Sequence, residues 1–183
     1  MQTNELLAVI EAHSPYDDDE SAHRSLMLQF VRDHPNNWWK RSLDKGHVTA
    51  SAWVINTETK NALLLFHAKL SRWLQPGGHI DDDDVTPLHA ALRECSEETG
   101  IHARPASDAG LFDIDVHRIP ARADELAHWH FDVRYLLRTD KSANIKISSE
   151  SQGFHWVPIE RLTLPQTEPG LRRMALKTIF NWN

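Results

Sequence analysis

Helices layered around a mixed sheet, in the α/β or α+β class, are what this chain predicts, and three observations predict it. Apolar residues recur at helical spacing near both ends, strand-like runs occupy the middle, and one sharply punctuated helix interrupts those strands.

Taken in order, Leu6, Leu7 and Ile10, then Leu26, Met27, Phe30 and Val31 after the Pro15 to Glu20 break, fit two amphipathic helices. They predict a helical hairpin within an N-terminal extension over residues 1–40. The run Asp17-Asp18-Asp19-Glu20 is explained by the helix dipole, which favours acidic residues at a helix start, and so implies no cation site. Val48 to Ile55 and Ala62 to Phe66 read as an antiparallel strand pair joined by the polar segment 56–61. Leu74 then leads to an expected Gly77-Gly78 turn. Thr86 is placed to cap the next helix, Pro87 suits its first turn and Gly100 its left-handed end. Leu88, Ala91, Leu92 and Cys95 form that helix's buried stripe.

Beyond it, Leu111 to Ile119 and Trp129 to Leu137 predict two strands. In the second, Trp129, Phe131, Val133, Tyr135 and Leu137 alternate with His128, His130, Asp132 and Arg134, giving a core face and a polar face. The polar face is a candidate lining for a binding cleft. Gly153 to Val157 is a further short strand, Pro158 to Leu162 starts a turn of helix, and Leu171, Met174, Ala175, Thr178 and Trp182 follow helical spacing. No repeat or linker divides residues 1–183, so one domain is expected.

Composition narrows the function. Hydrophobic residues make up 40% and the net charge is −6, which argues against disorder, a membrane partner and an extended nucleic-acid surface. The lone Cys95 excludes an internal disulfide. Met1 to Ile10 lacks the pattern of a signal peptide, so a cytoplasmic location is expected.

The chemistry concentrates in Arg93-Glu94-Cys95-Ser96-Glu97-Glu98-Thr99-Gly100-Ile101, which follows Pro76-Gly77-Gly78-His79. Glu94, Glu97 and Glu98 stand at i, i+3 and i+4, neighbours on one helical face. Like charges held there call for a cation. A hard ion such as Mg²⁺ takes oxygen ligands and commonly joins carboxylates to substrate phosphates. Arg93, four residues before Glu97, is placed to hold that carboxylate.

These residues resemble the box of the Nudix hydrolases, G-x5-E-x7-R-E-U-x-E-E-x-G-U with U apolar. Arg93, Glu94, Cys95, Glu97, Glu98, Gly100 and Ile101 match its second half. In the first half one residue is inserted: fourteen residues separate Gly78 from Arg93, where the box has thirteen, and Asp84 takes the place of its first glutamate. The flanks 63–65, 73–78 and 154–158 also look like the family's strands. The resemblance implies an α/β/α sandwich to which the N-terminal helices are an addition: a lid, a homodimer surface or packing.

It also implies Mg²⁺-dependent hydrolysis of a nucleoside diphosphate linked to another moiety X, with Mn²⁺ as a substitute ion. Glu94, Glu97, Glu98 and the Gly77 carbonyl are the implied metal ligands, and Arg93 supports them. The base is a box glutamate or Glu150, in the polar segment before a strand. Gly78, His79, Trp73, His130 and Arg134 are the candidate substrate contacts. A non-catalytic nucleotide-sensing or protein-binding module of the same fold is the alternative. An isomerase of isopentenyl-type diphosphates shares the fold but needs a reactive pocket cysteine, whereas Cys95 points to the core. The twelve histidines do not suggest zinc, because no cysteine or third histidine stands at a familiar ligand spacing from His128 and His130.

Overall fold

A computed structural model of the chain describes residues 2–68, 70–106, 110–121, 126–139, 145–148 and 151–180. The N-terminal hairpin is α1 (Thr3–Ala12) and α2 (Asp18–Asp33). Asp17 caps α2 by accepting from the Glu20 N–H at 2.8 Å. Strands β1 (Gly46–Asn56), β2 (Asn61–His67), β3 (Arg72–Leu74) and β4 (Gly77–His79) precede helix α3 (Pro87–Thr99). After it come β5 (Arg104–Pro105), β6 (Asp113–Ile119), β7 (His128–Thr139), β8 (Ser151–Pro158), a 3₁₀ turn (Ile159–Thr163) and α4 (Pro169–Phe180). Trp182 lies outside the described residues.

The sheet is mixed because β1 runs parallel to β7 and antiparallel to β2 and β4. Its order β3-β2-β1-β7-β5 is extended by β4 beside β1, β6 beside β7 and β8 beside β2. Alternation along β1 sends Val48, Ala50, Ala52 and Val54 into a core with Ala90, Ala91 and Cys95 of α3 and with Met27, Phe30 and Val31 of α2. Trp53 and Ile55 enter a second core with Leu171, Met174 and Ala175 of α4. The sandwich therefore has a helical layer on each face, with the N-terminal hairpin added to the first. Glu20 of α2 also accepts from the Ile114 N–H of β6 at 3.1 Å, which satisfies part of an otherwise open strand edge.

Three local expectations change. The Gly-Gly step is no turn: Gly77 and Gly78 form β4, with Gly77 at φ 151°, and a Cβ there would stand 2.5 Å from Ser51 Oγ. Along β7 both faces are enclosed, since His128, Asp132 and Arg134 are buried along with Phe131 and Val133. Trp129, expected in the core, is 45% exposed; it sits at the strand's start, beyond Phe131, whose ring Phe30 covers at 4.0 Å.

Candidate active site

Helix α3 is built to present its charged face. The Thr86 side chain accepts from the His89 N–H at 3.1 Å, Pro87 occupies the first turn, and Gly100 closes the end at φ 70°. Ala91 and Cys95 are fully buried, while Leu88 and Leu92 pack against the core more shallowly. Burial pushes the Cys95 thiol up to about 11, so this sulfur packs and does not react.

Arg93 organises the carboxylates. Its guanidinium donates to Asp84 at 2.9 and 3.2 Å, to Glu94 at 3.0 Å, to Glu97 at 3.1 Å and to the His79 carbonyl at 2.9 Å. Asp84, at the end of the lengthened loop, is buried and also accepts from the Asp81 N–H at 2.9 Å. Burial opposes its charge, but the Arg93 and backbone bonds outweigh it and hold the carboxyl below its usual range. A one-residue insertion thus leaves a carboxylate in place to anchor Arg93.

The three box glutamates differ in setting. Glu97 is exposed, whereas Glu98 is buried and accepts from the Gly77 N–H at 2.9 Å. Glu94 lies against Gly78, where a Cβ would come within 2.8 Å of its carboxylate carbon. Burial pushes the Glu94 carboxyl up, and Glu97 and Asp81 add repulsion that Arg93 only partly offsets. Two of the three oxygen donors, Glu94 and Glu98, are thus drawn in against the Gly77-Gly78 strand while Glu97 stays exposed, and among the described residues their ligand atoms do not gather as tightly as those of a histidine group on the other face of the sheet.

The other predicted residues fall elsewhere. Arg134 is buried and donates to Asp132 at 2.8 Å and Asp113 at 3.2 Å, with Asp115 at 3.0 Å, so its charge is matched inside the protein. Trp73 lies beside Phe66 and His155 and lines a cavity of about 700 Å³ with Arg72, Leu64, Glu168 and Leu171. A larger cavity, about 980 Å³, is lined by the end of α1 and the 13–16 connection on one side and by Pro105, Ala106 and Gly110 to Phe112 on the other, and includes none of the box glutamates. Glu150 lies outside the described residues.

His79 and His130 come together on the face of β4 opposite Glu94, and His47 joins them. Linear spacing hid this group, because the third histidine arrives from β1. The signal was latent in the strands: parallel pairing sets His47 directly beside His130, and antiparallel pairing sets His79 beside Thr49.

Known proteins share the fold. The NUDIX domain model matches residues 45–177. The rat asymmetrical bis(5'-nucleosyl)-tetraphosphatase is 28% identical over 108 residues, 58% of this chain and 69% of that protein. A probable DHNTP pyrophosphohydrolase of Lactococcus lactis is 32% identical over 96 residues, 51% of this chain and 55% of the relative. Among solved structures, a C. elegans Ap4A hydrolase binary complex aligns with a TM-score of 0.59 at 18% identity, covering 74% of this chain and 96% of the other. The E. coli dihydroneopterin triphosphate pyrophosphohydrolase aligns at 0.56 and 15% identity, covering 73% and 95%. With the domain match spanning β1 to α4 and the sandwich shared with these structures, the chain belongs to the NUDIX family of hydrolases.

Proposed function

We propose that the chain is a Mg²⁺-dependent pyrophosphohydrolase of a nucleoside diphosphate linked to a further moiety X, with Mn²⁺ able to substitute. The observation that carries this reading is the Glu94–Gly78 contact: a carboxylate lies against a glycine strand where a Cβ would collide, beneath the guanidinium that orders Glu94 and Glu97. Glu94, Glu97, Glu98 and the Gly77 carbonyl would hold the ion. Bound there, Mg²⁺ supplies charge neutralisation on the phosphates and a lower pKa for a bound water.

The residues do the positioning. Arg93 fixes two carboxylates and the His79 carbonyl, so the ligand set and the glycine strand move as one unit. The Gly77 N–H holds one oxygen of Glu98. Water oxygen forms a bond to phosphorus, the bridging P–O bond breaks with its electron pair staying on the oxygen of the departing phosphate-bearing product, and the water proton passes to a box glutamate or Glu150. Arg134 is assigned a structural role, because its partners are internal. Trp73 and His155, at the mouth of the cavity on β3 and β8, are assigned to the X group, with ring faces suited to a base or pterin. The relatives act on dinucleoside tetraphosphates and, by name, on dihydroneopterin triphosphate, so both belong in the first substrate panel, with ADP-ribose.

The test is product release from that panel with Mg²⁺ and with EDTA, for the wild type and for Glu98→Gln. Release is expected with Mg²⁺ only, and the variant should lose it while keeping its circular dichroism spectrum. Turnover of Glu98→Gln within about tenfold of wild type would sink the metal assignment. Silence across the panel, with tight metal-independent binding of one ligand, would identify a sensor instead. Replacing Glu150 by Gln decides the base: if Glu150 is the base the acidic limb of the pH–rate profile disappears, and if the limb remains the base is a box glutamate.

A further inference from the structure

We propose that His47, His79 and His130 form a second metal site, for a borderline divalent cation of the Zn²⁺ class, on the face of β4 opposite the box carboxylates. One ring nitrogen from each of the three lies within 4.8 Å of the others. Their ring centroids are 5.0 Å apart for His47 and His79, 4.8 Å for His47 and His130, and 5.6 Å for His79 and His130. Tetrahedral zinc with Zn–N bonds of about 2.05 Å needs nitrogens about 3.3 Å apart, so modest side-chain rotation closes the site.

His47 supplies the second, independent observation. It is 1% exposed, and neither Nδ1 nor Nε2 has a hydrogen-bond partner. A buried polar group in that state has lost water without gaining a partner, which is destabilising. Metal ligation satisfies one nitrogen with a partner stronger than any hydrogen bond.

Neighbours hold the His130 ring in place. The Leu126 carbonyl can only accept, so His128 donates to it from Nδ1, at 2.9 Å. His128 Nε2 in turn stands 3.1 Å from His130 Nε2, a contact that leaves His130 Nδ1 outside this pair. Such outer bonds are how ligating histidines are oriented.

Ligand chemistry separates the two centres. Imidazoles favour Zn²⁺ and its neighbours, whereas the carboxylates of α3 favour Mg²⁺. Three protein ligands would leave a fourth position for water. The consequence for the fold is a cross-tie of β1, β4 and β7 directly behind the strand whose Gly77 N–H holds Glu98 and whose His79 carbonyl holds Arg93.

The experiment uses the full chain, stripped with a chelator and then held in excess Mg²⁺ to occupy the carboxylates. Zn²⁺ is titrated calorimetrically, and Co²⁺ is added as a spectroscopic stand-in. One equivalent of Zn²⁺ and the visible bands of tetrahedral Co²⁺ are expected. His130→Gln and His79→Asn should each weaken binding at least about 100-fold, and Glu98→Gln should leave it unchanged. His79 is only half-buried, so its variant serves if His130→Gln does not fold. Absence of binding to the wild type, unchanged affinity in the folded histidine variants, or loss in Glu98→Gln would each overturn the proposal. Because the readout is binding, failure of the hydrolase reading leaves this test untouched.

Discussion

Two clusters of carboxylates and arginines lie on opposite faces of the sheet, made from the same groups and held in opposite states. On the α4 face, Asp113, Asp115 and Asp132 meet Arg134, Arg173 meets Asp113 at 2.7 Å, and Lys177 joins Glu20 at 2.7 Å. Burial opposes charge there, yet Arg134 and the histidines around Asp115 hold that carboxyl far below the usual range. On the α3 face, one guanidinium is divided among Asp84, Glu94 and Glu97, with Asp81 at 3.5 Å, and Glu94 is pushed up. The first cluster sets three fixed cations and several histidines among four carboxylates, all four of them enclosed by the protein. The second carries surplus negative charge at the surface, the condition in which a carboxylate cluster seeks an external cation. Arginine beside aspartate is thus no mark of function by itself; the charge balance around it is.

The largest loss is expected at Arg134. Its replacement by Met would leave Asp115 and Asp132 buried without their main cation and Asp113 with Arg173 and Lys177 only, and removing one side of a buried network costs about 3–5 kcal/mol. Urea unfolding should show that loss. A cost below about 1 kcal/mol would mean the cluster is not closed in the sense argued.

Glu20 offers the next largest effect and a pH signature. It is fully buried, and although burial opposes its charge, bonds from His13, Lys177 and the Tyr16 N–H lower it from 4.5 to about 2. A carboxylate lowered on folding stabilises above its unfolded pKa, so the contribution is full above about 4.5 and lost as pH falls towards 2. At about 1.4 kcal/mol per unit the shift corresponds to about 3 kcal/mol. Stability measured by urea between those pH values should fall steeply in the wild type and more gently in Glu20→Gln. Equal slopes would remove Glu20 from the network.

How much of this was legible in the sequence follows from which interactions are local. Helix α3 was, because Thr86, Pro87 and Gly100 act within a turn of their own position and the glutamates share a face by helical geometry alone. The N-terminal hairpin and the β1–β2 pair were legible for the same reason. The polar face of β7 was read as a cleft because alternation reports chemistry and not cover. Its enclosure depends on Glu20 from α2 and Lys177 and Arg173 from α4, which are distant in sequence. The His47 group was illegible because parallel pairing between β1 and β7 joins positions more than eighty residues apart. The acidic run at Asp17 was correctly read as a helix start, yet Glu20 within it also became an internal hub.

On the box side, Arg93 carries an effect of intermediate size. Arg93→Lys keeps the charge but loses the fork that spans Asp84, Glu94 and the His79 carbonyl. Stability should fall by about 1–2 kcal/mol, and turnover should drop about 10–100-fold as the carboxylates lose their orientation. Thermal melts and steady-state kinetics on the same preparation check both, and unchanged turnover would show that the ligands are oriented without Arg93.

The smallest stability effect has the opposite sign and is the most discriminating. Because the Glu94 carboxyl is raised on folding, its charge costs stability above that pKa in the metal-free protein, and the cost is relieved as pH falls through it. Glu94→Gln removes the charge and keeps the shape. In EDTA at neutral pH the variant should therefore be at least as stable as the wild type, by a margin of about 0.5 kcal/mol. Adding Mg²⁺ should raise the melting temperature of the wild type and leave that of the variant nearly unchanged, since only an ion that binds the folded state stabilises it. A variant clearly less stable in EDTA would mean that Arg93 already satisfies Glu94. The box would then be a second closed network like the one around Arg134, with no surplus charge to recruit an ion.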